Sequence, residues 1–197
     1  MAEEMTFLPR SEILSLEELY IVAKAFCELG VSKIRITGGE PLVRHNVVHL
    51  LEDLGKLPQL KELCLTSNGS KLDQLAQALF DAGVNRINIS LDSLDSEKFR
   101  KITRFGKLEN VLSGIQAAIK VGFERIKLNA VVLKNHNSNE VLHLLQYALD
   151  NGIDITYIEE MPLGNIDSHD RQLEFMSSQE LRKLIETRYD LSPSVHS

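Results

Sequence analysis

Apolar residues recur at intervals of three and four in six segments of this chain, which is the periodicity of an amphipathic helix. Start and stop signals agree with this pattern. Ser15 precedes two glutamates, Ser138 precedes Glu140, and glycine follows four of the segments. We therefore predict helices near residues 16–29, 47–56, 72–82, 108–121, 139–151 and 178–188.

Short runs of alternating or β-branched apolar residues separate these helices, and such runs are typical of strands. Each run ends in polar side chains: hydroxyl, amide and carboxylate groups after most of them, and acids with a thioether after the last. We predict about five strands, within residues 33–36, 62–69, 86–93, 125–132 and 155–162.

The alternation of strands and helices with short turns predicts parallel β/α units joined by right-handed crossovers. A complete eight-unit barrel takes roughly 250 residues. A chain of 197 residues therefore fits either a partial barrel or a complete doubly wound sheet. In both architectures the polar strand ends meet at one edge, where α/β folds bind their ligands.

Composition indicates one domain with a sizeable core, because 43% of the residues are hydrophobic. A net charge of -6 argues against broad binding to nucleic acid or to an anionic membrane, although one local basic pocket for a phosphate remains compatible with it. No segment resembles a signal peptide or a membrane span. We expect a cytoplasmic protein, and the sequence leaves a homodimer open.

The two cysteines, Cys27 and Cys64, fall in a predicted helix and a predicted strand without C-x-x-C spacing, so we predict buried thiols. His45 and His49 stand four apart, which is a metal-ligand spacing, but no third ligand or glutamate base accompanies them. We interpret them as a polar helix face, and we predict no metal site.

The most informative turn is Thr37-Gly38-Gly39-Glu40-Pro41, which follows the first strand directly. Two glycines allow a ligand to approach the main chain closely, and Pro41 stiffens the exit. Glu40 offers a carboxylate for an amine. A tight turn without any ligand is the alternative reading of the glycine pair alone.

Five segments together resemble the radical S-adenosylmethionine GTP 3′,8-cyclases of molybdenum-cofactor biosynthesis, and they stand in that family's order along most of the chain. The segments are Lys33-Ile34-Arg35-Ile36-Thr37-Gly38-Gly39-Glu40-Pro41-Leu42-Val43-Arg44, Leu65-Thr66-Ser67-Asn68-Gly69, Asn88-Ile89-Ser90-Leu91-Asp92-Ser93, Lys127-Leu128-Asn129 and Ile158-Glu159-Glu160-Met161. The resemblance implies an α/β fold, a partial (β/α) barrel of radical SAM type with parallel strands.

For an intact enzyme, the resemblance implies a lyase in which a reduced cluster donates an electron to S-adenosylmethionine. The resulting deoxyadenosyl radical takes a hydrogen atom from the ribose of GTP, and ring closure onto the purine follows. Residue by residue, Gly39, Ser90 and Met161 would bind S-adenosylmethionine, with Asn129 as a weaker candidate. Arg35, Thr66 and Lys127 would bind GTP, since a triphosphate requires cations.

This sequence departs from the family in its cysteines. The family's 4Fe–4S clusters are held by a C-x-x-x-C-x-x-C loop after the first strand and by three cysteines in a C-terminal extension, and Cys27 and Cys64 match neither set. We therefore expect residues 1–197 to be the interior of the catalytic barrel, without the first strand, the cluster loop or the extension, and inactive alone. Thr156 also stands where the family pattern has an arginine.

Two other functions remain open at this point. One is a cluster-free β/α-barrel lyase that uses Lys127 as a Schiff base or general base, with Glu159 or Glu160 beside it. The other is a noncatalytic module that binds a nucleotide or S-adenosylmethionine. The candidate residues also have structural alternatives: Arg35 and Lys127 as ion pairs with Glu159 or Glu160, Thr66 and Ser90 as helix caps, and Met161 as core.

Overall fold

The computed structural model describes Pro9, residues 12–161 and residues 171–193, apart from the side chains of residues 171 and 172. The strands are β1 Lys33–Ile36, β2 Glu62–Ser67, β3 Val84–Ser90, β4 Arg125–Val132 and β5 Asp154–Glu159. The helices in this part of the chain are α1 Leu16–Glu28, α2 Val47–Gly55, α3 Leu72–Asp81, α4 Ser96–Thr103, α5 Leu108–Val121, α6 Val141–Asp150, α7 Arg171–Glu174 and α8 Ser178–Glu186, with short 3-10 turns at Pro41–Val43 and Ser138–Glu140.

The strands form a single parallel sheet in the sequential order β1-β2-β3-β4-β5. Right-handed crossovers in a sequential sheet place the connecting helices on one face, as in a (β/α) barrel, whereas a doubly wound sheet reverses its order. The order therefore confirms the partial barrel and excludes the doubly wound alternative. Within the described residues β1 and β5 are the two edges of the sheet.

The core lies between the sheet and its helices. Alternate strand residues such as Leu65, Ile87, Ile89 and Leu128 are 0% exposed and pack against apolar residues of the helices. Strand side chains alternate between faces, so one face of each strand is apolar and the other is left to polar residues. This division creates the polar surface described below.

The helices at residues 16–29, 47–56, 72–82, 108–121 and 178–188 are confirmed to within about two residues, the scatter expected at helix ends. The predicted helix at 139–151 begins as the 3-10 turn Ser138–Glu140 and becomes α6 at Val141. Gly122 ends α5 with φ 91°, a left-handed conformation that glycine adopts without strain.

Helix α4 was not predicted. It buries only Phe99 among strongly polar neighbours, so it lacks an apolar stripe of helical periodicity. The signal that could have located it is Asp95, whose side chain accepts the Lys98 N–H as an N-cap.

The last described segment folds back onto the ends of β4 and β5. Phe175 forms an isolated antiparallel bridge with Leu133, and Lys134 Nζ lies 2.8 Å from Glu180 Oε1. Helix α8 buries Leu181 and Ile185 in a second apolar cluster, which also contains Val132, Val141 and Met176. No helix in the described part of the chain is both long enough and apolar enough to cross a membrane.

Candidate functional site

Polar side chains of neighbouring strands form two rows on the face of the sheet that the core does not use, here called the inner face. In the middle row Thr66 pairs with Asn88, and Asn88 pairs with Lys127. In the row nearer the carboxyl ends of the strands, Ser90 pairs with Asn129 and Asn129 pairs with Thr156. Residues two apart share a face, so both rows face the same way. The structure thus brings together most of the residues that the sequence singled out.

Arg35 joins the middle row through Thr66. Its Nη1 lies 3.3 Å from Thr66 Oγ1 and 3.5 Å from the Leu65 carbonyl oxygen. Neither contact neutralises the guanidinium, and among the described residues no carboxylate forms an ion pair with Arg35. Arg35 and Thr66, both predicted from the sequence to bind the nucleotide, are therefore neighbours. The Arg35 guanidinium keeps further N–H donors for an anion.

Lys127 is likewise without a carboxylate partner in the described part of the chain. Asp154, its register neighbour on β5, pairs instead with Arg125, with Nε and Oδ2 2.8 Å apart. Glu159 pairs in register with Val132 and so lies on the helix-facing side, opposite to Lys127. There Glu159 accepts the backbone N–H of Ser178. Neither a Glu159–Lys127 ion pair nor a lyase site built from those two residues is formed.

The row nearer the strand ends consists of Ser90, Asn129 and Thr156, and none of their side chains forms a hydrogen bond within the residues that the structure describes. Asn129 and Thr156 are half-buried and Ser90 is exposed. Because Ser90 caps no helix and Thr66 receives Arg35, the capping alternative is wrong for both hydroxyls.

The turn after β1 presents bare main chain, as its sequence predicts. Gly38 has φ 151°, and a Cβ added at Gly38 or Gly39 would meet no atom within 4 Å. A ligand therefore has open access to the backbone N–H and C=O groups here.

Glu40 already accepts three hydrogen bonds from the protein, and the expectation that its carboxylate also binds an amine stays a prediction. Its Oε1 accepts the Leu42 N–H at 3.0 Å and the Ser67 hydroxyl at 2.9 Å, and its Oε2 accepts the Asn68 N–H at 2.5 Å. The carboxylate thus connects the glycine turn to the end of β2. Its observed role is to hold the two loops of the site in register.

Met161 lies two residues past β5 and is 64% exposed, so it is not a core residue. A thioether at the rim of the site is available to pack on a flat ring.

Hydrogen bonds from Val131 and Asn137 hold the rim beside Ser90. Asp92 Oδ1 accepts the Val131 N–H at 2.8 Å, and the Asn137 amide donates to the carbonyl oxygens of Asp92 and Val131 at 2.8 and 2.9 Å. Together they continue the β3–β4 ladder beyond its last regular pair, Ser90 with Asn129. Burial raises the pKa of the Asp92 carboxyl, and the Val131 N–H only partly opposes that rise.

Glu140, only 5% exposed, connects the loop after β3 to the start of α6. Its Oε2 accepts the Ser93 hydroxyl at 2.9 Å and the Leu94 N–H at 2.8 Å, while Lys98 Nζ lies 3.0 Å from Oε1. Burial raises its pKa, but the hydrogen bonds from Leu94, Lys98 and Ser93 outweigh burial and lower the pKa overall.

The sulfur and imidazole groups do not assemble a metal centre in the described residues. Cys27 on α1 and Cys64 on β2 are both buried and free, as predicted, and burial raises the pKa of the Cys64 thiol. His49 contacts Glu52 at 3.2 Å on an exposed helix face. Among the residues that the structure describes, no three histidine, cysteine or carboxylate side chains are placed to hold a metal ion, so this part of the chain presents no site for an iron–sulfur cluster.

The inner face carries the kinds of groups that would be needed to hold S-adenosylmethionine. Its amino-acid and ribose groups need backbone and hydroxyl or amide partners, and the Gly38–Gly39 turn, Ser90 and Asn129 supply such groups without prior partners.

An apolar groove of about 420 Å³ lies beside edge strand β1, between α1 and α2. Leu19, Phe26 and Leu50 are among its lining residues. It meets the inner face only where Arg35 and Thr37 contribute, so it is distinct from the two polar rows.

Two residues of the inner face and its rim were not singled out from the sequence. Asn88 stands between Thr66 and Lys127, and Asp92 supports β4. The signal for Asn88 was present, because it lies two residues before Ser90 on the same strand and so shares its face.

Comparison with known proteins places these features in a family. Residues 2–148 match the Radical SAM superfamily. A GTP 3′,8-cyclase of Saccharophagus degradans is 56% identical over 192 residues, which are 98% of this chain and 58% of that protein. The GTP 3′,8-cyclase of Pseudomonas entomophila is 57% identical over 197 residues, 100% of this chain and 59% of that protein. This chain therefore spans somewhat over half the length of the relatives that it matches.

Two solved structures resemble the fold. SuiB of Streptococcus suis, bound to S-adenosylmethionine, has a TM-score of 0.63 at 20% identity, covering 90% of this chain and 40% of that chain. Coproporphyrinogen III oxidase of Escherichia coli, a radical SAM enzyme, has a TM-score of 0.60 at 16% identity, covering 86% of this chain and 44% of that chain. At these identities the likeness concerns the fold alone.

Proposed function

Because this chain belongs to the radical SAM superfamily, we propose that it forms the cofactor- and substrate-binding core of a GTP 3′,8-cyclase. The observation that carries the proposal is the inner face itself. Two rows of polar side chains, largely without partners among the described residues, lie on the inner face and extend to the carboxyl ends of β2 and β3, the end of the sheet at which barrels bind their ligands. Relatives named GTP 3′,8-cyclase that are 56% and 57% identical make this chemistry the best match.

Arg35 and Lys127 are the proposed binding residues for the triphosphate of GTP. Both cations lack a carboxylate partner in the described residues, and two cations near a polyanion contribute charge-assisted hydrogen bonds. Arg35 presents a planar fork and Lys127 a point charge, so the two residues constrain different phosphate oxygens. Thr66, beside Arg35, offers a hydroxyl to the same ligand.

Gly39, Ser90 and Met161 are the proposed S-adenosylmethionine residues, with Asn129 beside Ser90. The open glycine turn would hold the amino-acid end through main-chain groups, Ser90 the ribose or the carboxylate, and Met161 the adenine ring. When bound, S-adenosylmethionine and a reduced cluster supply radical chemistry to such a reaction, while the protein contributes orientation and exclusion of water.

Equilibrium binding tests this assignment with the chain as it stands. We expect the purified chain to bind GTP and S-adenosylmethionine at separate subsites, so that one ligand does not displace the other in calorimetry. Lys127→Ala should weaken GTP binding only, and Ser90→Ala should weaken S-adenosylmethionine binding only. Failure of the wild-type chain to bind either ligand would contradict the proposal.

Turnover is a separate test of the same proposal. After anaerobic reconstitution with iron and sulfide, we expect no deoxyadenosine from this chain alone, because its two cysteines are too few for a cluster. Turnover by the isolated chain would contradict that expectation. Binding of both ligands without turnover by any longer form that contains this chain would favour the noncatalytic module instead.

A further inference from the structure

Asn88 occupies the centre of the middle row. On β3, it pairs in register with Thr66 on one side and with Lys127 on the other. Adjacent strands of a sheet lie about 4.8 Å apart, and residues in register share a face. Asn88 therefore lies between two residues that we assign to the nucleotide, and a ligand that contacts both must pass over its amide.

The Asn88 side chain is half-buried and forms no hydrogen bond within the described residues. The other asparagine of the same strand differs. Asn85 Oδ1 accepts the Leu63 N–H at 2.9 Å, so it completes the structure of the sheet. An amide carries two N–H donors and an acceptor oxygen, and no described group of the protein uses those of the Asn88 side chain. Asn85 thus stabilises the pairing of β3 with β2, whereas the amide of Asn88 is available to a ligand.

The position of Asn88 along the strand restricts which group of the nucleotide its side chain can contact. Ser90, assigned to the cofactor, lies two residues further along the same face, about 6.6 Å nearer the carboxyl edge. Lys127, assigned to the phosphates, belongs to the row of Asn88, and Arg35, which pairs in register with Cys64, reaches that row through its contact with Thr66. In a 3′,8-cyclisation the reacting ribose must face the cofactor while its phosphates contact the cations.

We infer that Asn88 binds ribose hydroxyl groups of the nucleotide. This inference rests on the proposed function and adds a binding residue to it. A neutral amide matches a hydroxyl, which both donates and accepts, better than it matches a phosphate, which at neutral pH accepts almost exclusively. Asn88 thus contributes selectivity for the sugar, whereas Arg35 and Lys127 contribute affinity through charge.

The test compares GTP, 2′-deoxy-GTP and 3′-deoxy-GTP binding to the wild-type chain and to Asn88→Ala. Loss of a hydrogen bond to a neutral group should weaken GTP binding about 3- to 10-fold. At least one deoxy analogue should bind the wild type more weakly than GTP does, and that preference should disappear in Asn88→Ala. Asn110→Ala, on an exposed position of α5, is the matched control and should bind all three ligands like the wild type.

A second variant keeps the test decisive if alanine disturbs the sheet. Asn88→Asp has the same shape but exchanges the two donors for negative charge, so it should weaken GTP binding more than alanine does. S-adenosylmethionine binding should be unchanged in both variants and serves as the measure of an intact site.

The outcomes separate the two claims. A wild-type chain that binds no GTP contradicts the proposed function. A wild-type chain that binds GTP, together with an Asn88→Ala variant that binds it equally well or keeps the wild-type preference over the deoxy analogues, overturns the Asn88 assignment alone. Absence of any preference in the wild type overturns it as well.

Discussion

The two faces of the same sheet differ in what their side chains contact. On the helix-facing side Ile87, Ile89 and Leu128 are 0% exposed and touch only core. Their immediate neighbours Asn88 and Lys127 face the other way and have no hydrogen bond or ion pair in the described part of the chain. Stability and binding are thus assigned to alternate residues of single strands.

This comparison teaches that polar groups of the molecule fall into two kinds. Those behind the rim, such as Glu140 and Asn137, are buried and fully engaged with main chain and side chains. Those on the inner face are half-buried or exposed and largely without partners. Buried polar groups must be satisfied within the fold, whereas an open binding face keeps its donors and acceptors for a ligand.

The largest expected effect on stability comes from comparing alanine substitutions on the two faces of β4. Leu128→Ala should lower the free energy of unfolding by about 3 kcal/mol, because it removes a fully buried side chain and leaves a cavity. Lys127→Ala, one residue earlier, should change it by no more than about 0.5 kcal/mol. Urea denaturation of both variants measures the difference. Equal destabilisation would contradict the conclusion that the helix-facing side stabilises the fold and the inner face does not.

The next largest effect concerns the buried carboxylate behind the rim. Glu140→Ala leaves the Leu94 N–H without an acceptor and the Ser93 hydroxyl with only its longer contact, 3.3 Å, to the Asp95 carbonyl oxygen, so the free energy of unfolding should fall by about 2–3 kcal/mol. Glu186→Ala, an exposed glutamate of α8, is the control and should have little effect.

The contribution of Glu140 should also depend on pH, with a sign set by its lowered pKa. A carboxyl whose pKa is lower in the folded state stabilises the protein above its ordinary pKa, and that contribution is lost as the pH falls through the folded-state value. The stability difference between wild type and Glu140→Ala should therefore shrink in acid. A difference that grows in acid would show that another role of Glu140 dominates.

A smaller effect, on GTP affinity, tests whether the shape of the Arg35 guanidinium matters in addition to its charge. Arg35→Lys keeps the positive charge but loses the planar fork and its contact with Thr66. We expect GTP binding to weaken about 3- to 10-fold, the value of one or two hydrogen bonds, with little change in stability. Calorimetry with GTP measures this, and unchanged affinity would mean that only the charge of Arg35 matters.

The smallest expected effect concerns Asp92, whose pKa is raised by burial. A raised carboxyl pKa means that the charged form costs folding free energy as the pH rises above the ordinary aspartate range. Asp92→Asn keeps an oxygen for the Val131 N–H and removes that cost. The variant should unfold at a slightly higher temperature than the wild type at neutral pH and at the same temperature in acid. A less stable variant at neutral pH would contradict this.

Much of the fold was predictable because its signals are local. The positions of α1, α2, α3, α5 and α8, and the strands between them, follow from apolar spacing and from the capping signals at their ends. Helix α4 was not predicted because half of its eight residues are charged and only Phe99 is buried. Its position depends on one buried phenylalanine and one cap, which periodicity does not detect.

The candidate site was predictable residue by residue but not as a geometry. The sequence and the family resemblance singled out Arg35, Thr66, Ser90 and Lys127, and parallel pairing places them on one face. Neither indicated that Glu40 is engaged by Ser67 and Asn68, because such contacts join residues far apart in the chain. The centre of the middle row, Asn88, became apparent only from the register of β3 against its two neighbours.

The sequence by itself determined the alternation of strands and helices, the parallel β/α units and the chemical groups at each strand end, since these depend on residues close together in the chain. Only the tertiary structure decided that the sheet has the sequential order of a barrel and that Glu159 lies opposite to Lys127. It also separated the polar groups with partners from those without. Strand order, register and hydrogen-bond partners depend on packing between segments that are distant in the sequence. Local sequence patterns do not specify such contacts.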